Sequence, residues 1–227
     1  MATTAQTPSD LNITTCDEPT MGEAMKASLE ERRMWTKAIE DELNALDDME
    51  TWVIDENPKC PPLPTHIVLK IKRESDGRIE RFKARIVAGG NFQIFAENYF
   101  ETYAPVVSFT VVRVFLKIGL QQKMCRAQLD VKTAFLNGIV KEDIWVMSPR
   151  GIPGRPSRCY KLNKAIYGLK QAHHAWHTRP VSDLNQLGFK ELSSDACVFK
   201  KGSENGGVIF LLVYVCLLYT SPSPRDA

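Results

Sequence analysis

His66-Ile67-Val68-Leu69-Lys70-Ile71-Lys72-Arg73 and Arg78-Ile79-Glu80-Arg81-Phe82-Lys83-Ala84-Arg85-Ile86-Val87-Ala88 stand on either side of Asp76-Gly77. Asp-Gly between two β-rich runs is a strong short-range hairpin signal, because these residues accept the positive φ that a tight turn imposes. Side chains alternate faces along a strand, so Phe82, Ala84 and Ile86 point one way and Arg81, Lys83 and Arg85 the other. Lys70 and Lys72 share a face on the partner strand in the same manner. Parallel rows of cations repel unless an anion lies across them, and phosphate is the anion this pattern suits. Taken alone, the ribbon reads equally well as an edge kept soluble by charge.

Upstream, Thr20 followed by Glu23 is a capping-box pattern, and Met25, Leu29, Trp35, Ile39, Leu43 and Leu46 recur mostly at helical spacing through Met49. One amphipathic helix is expected, with Glu30, Glu31, Glu40, Asp41, Glu42, Asp47 and Asp48 as a solvated acidic face. Downstream, a helix is expected over 108–123 with Val111, Phe115 and Ile118 as its inner face, followed by a strand over 125–131. Short strands over 144–147 and 159–162 flank a loop containing Gly151, Pro153, Gly154 and Pro156. A further helix follows Leu169, and Pro180 should split it in two. Residues 196–200 and 208–215 read as a hairpin around the turn 203–207, its second strand fully buried. Strands and helices interleave without a βαβ rhythm, which favours an α+β fold with helices on one face of an antiparallel sheet.

The composition, 44% hydrophobic and 25% charged over 227 residues, is that of a globular chain. A formal charge of +2 does not announce a nucleic-acid binder by itself, so its distribution carries the case. Six cysteines without a C-x-x-C pair or short Cys/His spacing argue against a zinc module or a disulfide framework and suit a reducing compartment. Residues 1–21 read as a flexible leader, lacking the apolar core of a signal peptide. The apolar run Val208 to Tyr219, about 12 residues, is too short for a membrane helix and reads as a buried strand.

Asp130 closes an otherwise apolar strand, where a carboxylate is costly to bury unless it binds a cation or a donor, although such a residue is more often a turn-former than a ligand. Four blocks set it in context. Arg81-Phe82-Lys83-Ala84-Arg85-Ile86-Val87-Ala88, Tyr99-Phe100-Glu101-Thr102-Tyr103-Ala104-Pro105-Val106-Val107, Gln128-Leu129-Asp130-Val131-Lys132-Thr133-Ala134-Phe135-Leu136-Asn137-Gly138 and Leu162-Asn163-Lys164-Ala165-Ile166-Tyr167-Gly168-Leu169-Lys170-Gln171 follow in order. Together they resemble the reverse transcriptase domain of copia-type retrotransposons, from about Glu23 to Val215 and including the Trp35 helix and the Thr51-Trp52 strand.

The resemblance implies right-hand polymerase fingers and palm, with three palm carboxylates holding two Mg2+ ions for attack of a primer 3′-hydroxyl on a deoxynucleoside triphosphate. It makes Asp130 the first catalytic carboxylate and places the Val131 carbonyl on the metal. Phe135 would lie under the sugar, Lys70, Lys72, Lys83 and Arg85 would close on the triphosphate, and Tyr167 and Gly168 would lie beside nucleotide and template. The implied partners are an RNA or DNA template-primer and deoxynucleoside triphosphates, without a membrane, in a cytoplasmic retroelement particle.

Three departures stand out. Ala172-His173-His174 replaces the family's Ser-Pro-Arg, and the added His177 makes a group that lacks a further ligand at zinc spacing. Tyr214-Val215 runs on into Cys216-Leu217-Leu218 where the family carries Asp-Asp, so a single carboxylate is left for two ions. Residues 216–227 read as a non-native tail outside the fold, which would leave the domain at 22–215, incomplete at its C-terminus, with 208–215 as an exposed apolar edge. An inactive polymerase fragment is expected, the alternative being a non-catalytic nucleic-acid-binding remnant that uses the basic hairpin.

Overall fold

A computed structural model describes residues 13–152, 156–203, 206–214 and, as backbone, 217–222. The expectations for 1–12, Pro153, Gly154, 204–205, Val215, Cys216 and 223–227 lie outside these described residues. In chain order the elements are α1 (Met21–Lys26), α2 (Leu29–Asp48), β1 (Trp52–Ile54), β2 (Thr65–Arg73), β3 (Ile79–Ala88), α3 (Phe109–Gln121), β4 (Ala127–Asp130), β5 (Trp145–Met147), β6 (Cys159–Leu162), α4 (Ala172–Gln186), β7 (Lys190–Leu192), β8 (Asp195–Gly202), β9 (Val208–Tyr214) and β10 (Leu217–Pro222). Each ladder between the described strands is antiparallel, in keeping with an α+β fold. The chain divides into two compact units at Phe100/Glu101, Ile139/Val140 and Lys170/Gln171.

The first unit holds α1, α2, the ribbon β2-β3 and the sheet β1-β6-β5. Leu69, Ile71, Phe82, Ala84 and Ile86 are buried on one face of the ribbon, and Trp35 of α2 sets its ring edge-on to Phe82, centroids 4.6 Å apart. Burying each of the larger side chains contributes about 1.5–3 kcal/mol, which fixes the register and therefore the face on which the cations stand. The Thr20–Glu23 capping box forms as expected.

Two helices stand where one was expected. Ser28 breaks the run and caps α2, its Oγ accepting the Glu31 N–H at 3.3 Å. The expected acidic face is not wholly solvated either. Glu31 is fully buried and accepts bonds from the Thr14 N–H and hydroxyl, each 2.7 Å, from the Thr15 hydroxyl and from Trp35 Nε1 at 3.4 Å. Burial alone would push its carboxyl up, yet the bonds from Thr15, Thr14 and Trp35 outweigh that and hold it below the ordinary range. Glu42 accepts the Ile86 N–H at 3.2 Å and Asp47 accepts Trp52 Nε1 at 2.8 Å. The described part of the expected leader is likewise tied down: Asp17 accepts the Ile71 N–H through its carbonyl, at 2.7 Å, and grips Arg73 through its carboxylate.

The second unit is a five-stranded sheet, β4-β10-β9-β8-β7, with α3 and α4. Val111, Val112 and Phe115 of α3 pack on Val107, Cys197, Val198 and Leu212, whereas Ile118, expected on that inner face, is 45% exposed. Only the centre of β9, Leu211 to Val213, is buried. Residues 217–222, expected to stand outside the fold, form β10 between β9 and β4, so β9 is paired on both sides and is not an edge.

Pro180 does not split α4, which runs unbroken from Ala172 to Gln186. Ala172, Trp176, Pro180 and Leu184 recur every four residues and are all buried, so packing of one face offsets the single helical hydrogen bond that proline removes.

Candidate nucleotide and nucleic-acid interface

In the ribbon Lys70 stands opposite Lys83, Lys72 opposite Arg81 and Val68 opposite Arg85. Like charges directly opposite each other destabilise a sheet by several tenths of a kcal/mol per pair, so this face is organised against its own stability. Lys83 is half-buried, and burial first, then Arg85, Arg81 and Lys72, push its pKa down. An anion laid along the face offsets the repulsion among these cations. The Glu42 carboxyl, pushed up by burial, is drawn back by its bond from Ile86 and by Arg85 and Lys83. Lys70 is a different case: it is bound by Glu18, fifty-two residues upstream, and so is engaged already.

A tight backbone junction closes one end of the ribbon. Ala88 N–H donates to the Tyr167 carbonyl at 2.8 Å, and the Arg85 guanidinium lies over the Tyr167 ring, 4.5 Å from its centroid. Gly168 has φ +89°, and a Cβ there would stand 2.1 Å from the Ala88 carbonyl oxygen; a Cβ on Gly90 would stand 2.0 Å from the Gly168 carbonyl oxygen. Only a residue without a Cβ lets this turn come so close to the end of β3. Lys72, Lys83, Arg85, Tyr167 and Gly168 all belong to this first unit.

Asp130, Val131 and Phe135 belong to the second. Asp130 is exposed, as is the whole of β4, so the cost of burial that would have demanded a cation does not arise. Its backbone stands opposite Leu217 of β10. Thr133, two residues after Val131, holds φ +50°, an uncommon backbone for a β-branched residue, and opens the 3-10 turn Ala134–Asn137 that carries Phe135. A Cβ on Gly138 would lie 2.7 Å from the α4 backbone at Ala175 and Trp176, so this turn is pressed onto α4. The Phe135 ring meets the edge of His173, centroids 5.1 Å apart.

The three histidines serve different neighbours. His173 faces Phe135, His174 Nδ1 lies 2.7 Å from the Tyr103 carbonyl, and burial pushes the His177 pKa down. Among the described residues no three His, Cys, Asp or Glu side chains could hold a metal ion together. Among the described residues a pair of divalent ions finds too few ligands, since the donors named at the end of β4 are the Asp130 carboxylate and the Val131 carbonyl. Sequence reasoning missed Glu42 and Gln93, whose roles depend on partners distant in the chain.

One unit carries a cation-faced ribbon closed by a glycine junction and the other an antiparallel sheet with a strand-end aspartate, which makes this an α+β chain with a candidate phosphate-binding face. The model of the family described as reverse transcriptase (RNA-dependent DNA polymerase) matches residues 49–223, and the chain belongs to that family. It is 37% identical over 186 residues to the Retrovirus-related Pol polyprotein from transposon TNT 1-94 of Nicotiana tabacum, covering 80% of this chain and 14% of the relative. It is 35% identical over 203 residues to the Retrovirus-related Pol polyprotein from transposon RE1 of Arabidopsis thaliana, covering 85% and 13%. With the Transposon Ty1-ER2 Gag-Pol polyprotein of Saccharomyces cerevisiae identity is 29% over 182 residues, covering 76% and 10%. The chain therefore spans a small part of each relative, and the plant polyproteins agree with the copia-type resemblance drawn from the sequence.

Proposed function

We propose that this chain is the fingers and palm portion of the RNA-directed DNA polymerase of a copia-type Pol polyprotein, and that it binds template-primer and deoxynucleoside triphosphates without joining them. The register of the ribbon carries this reading: two like-charged pairs face each other, and burial, reinforced by Arg85, Arg81 and Lys72, pushes the Lys83 pKa down. Triphosphate or backbone phosphate laid along Lys72, Lys83 and Arg85 neutralises that repulsion, and the guanidinium, fixed on Tyr167, is pre-oriented for it.

In polymerases of this kind a bound pair of divalent ions lowers the pKa of the primer hydroxyl and stabilises the charge on the transferring phosphoryl group. Asp130 and the Val131 carbonyl remain for that task here, while the sequence reads Cys216-Leu217 where the family has two aspartates. The same face thus supports a non-catalytic, salt-sensitive grip on nucleic acid in the chain as it stands. A cytoplasmic retroelement particle is the setting such a module would work in. No helix among the described residues is long and apolar enough to cross a membrane.

Affinity for a labelled oligonucleotide, measured against salt, tests the grip. Replacing Lys72, Lys83 and Arg85 together by Ala is expected to lower affinity more than tenfold at low salt and to reduce the log–log salt slope by about 2. An unchanged slope would remove the ribbon from the interface.

A further inference from the structure

Beyond the ribbon, the segment from Gly90 to Phe100 inverts the usual logic of a surface loop. Two of its polar residues are inside, Gln93 and Asn98 at 4% and 6% exposure, while Asn91 and Glu97 stay exposed. Its large apolar residues are outside, with Phe92 at 61%, Ile94 at 56%, Phe95 at 64% and Phe100 at 61% exposure. Single exposed hydrophobes are ordinary, but four so close together on one segment mark a surface that meets something.

The backbone that carries these side chains is held in place. Gln93 Oε1 accepts the Lys170 N–H at 2.8 Å, and Gln93 Nε2 donates to the Asn98 carbonyl at 3.3 Å. Asn98 Oδ1 accepts the Ile94 N–H at 3.0 Å, and Ala96, at φ +67°, donates its N–H to the Tyr99 carbonyl at 3.0 Å. The Lys170 ammonium lies 4.5 Å from the Tyr99 ring centroid and donates to the Tyr99 hydroxyl and the Gln93 carbonyl, each at 3.2 Å. The Phe95 ring sits edge-on to Tyr99, centroids 5.6 Å apart. A backbone ordered before a partner arrives loses little entropy when it binds.

What covers them follows from the cations. Arg85 lies on Tyr167 and Lys170 on Tyr99, and the short turn from Tyr167 to Lys170 joins the two. Cations interleaved with aromatic faces are the physical pattern of a single-stranded nucleic-acid track, in which phosphates follow the charge and bases stack on the rings. Glu97 is the segment's one acid.

We propose that Phe92, Phe95 and Phe100, on the frame of Gln93, Asn98 and Lys170, form a stacking platform for the unpaired bases of a single strand whose phosphates lie on the ribbon. This rests on the proposed phosphate grip of the ribbon and adds base contact to it. The test is fluorescence anisotropy with a labelled single-stranded DNA and an abasic oligomer of equal length. Phe95→Ala with Phe100→Ala is expected to weaken binding of the base-bearing strand about tenfold or more, leaving abasic binding and the salt slope unchanged. Phe95→Tyr should keep the base contact. The Lys83→Ala, Arg85→Ala variant should weaken both oligomers and flatten the slope. Base-bearing and abasic strands held equally by the parent chain, with the rings dispensable, would overturn the platform and leave the rings to a protein partner. If the ribbon variant also bound normally, the phosphate grip itself would fail.

Discussion

Gly168→Ala is expected to destabilise the first unit by about 3 kcal/mol or more, among the larger effects of a single substitution. Two separate costs act at this position. At φ +89° a Cβ is strained whatever surrounds it, and here it would meet the Ala88 carbonyl oxygen at 2.1 Å and the Ala88 nitrogen at 3.0 Å. Both are backbone atoms at the end of a paired strand, which cannot swing aside as a flexible side chain could. Relief would require the turn to part from β3, breaking the bond from the Ala88 N–H to the Tyr167 carbonyl and lifting the ring on which Arg85 rests. Urea unfolding followed by tryptophan fluorescence checks the stability. Oligonucleotide binding should weaken in the fraction that stays folded.

Trp35→Ala is expected to cost about 3–5 kcal/mol, the range for emptying a large aromatic site in a core. Trp35 has no exposed surface and sets its ring against Phe82, the residue that anchors the apolar face of the ribbon. Its Nε1 also donates to Glu31, so the substitution leaves a buried carboxylate with one donor fewer. The loss falls on the contact between α2 and β3 that fixes which face the cations occupy. Chemical denaturation should show the drop, whereas Leu29→Ala, at an exposed position on the same helix, should stay within about 0.5 kcal/mol of the parent.

The ribbon was legible because its signals are local: period-2 alternation and an Asp-Gly turn suffice to give β2, β3 and the two faces. The hairpin of β8 and β9 was legible from another local signal, a polar, glycine-containing turn followed by an apolar run. What stayed hidden depends on partners far along the chain. Glu31 looks like any surface acid of a helix until Thr14 and Thr15, seventeen and sixteen residues away, turn their hydroxyls onto it. Lys70 looks free until Glu18 reaches it. Pro180 reads as a break because local sequence does not show that its ring joins a buried face.

The candidate site divides along the same line. Asp130, Phe135, Tyr167 and Gly168 came from the resemblance, and the glycine's strained geometry gives one of them a physical reason. The apolar platform could not be read from the sequence, since Phe92, Phe95 and Phe100 would pass there for core residues. Only their exposure, and the inward turn of Gln93 and Asn98, shows otherwise.

Primer extension tests most directly whether the chain keeps the family's binding face without its set of carboxylates. A labelled template-primer, magnesium and all four deoxynucleoside triphosphates are incubated with the purified chain and the primer length is read on a denaturing gel. The primer is expected to remain at its starting length while the complex is still retained in a parallel binding lane. Extension by even one nucleotide, lost on Asp130→Asn, would contradict this account and show that a single palm aspartate suffices.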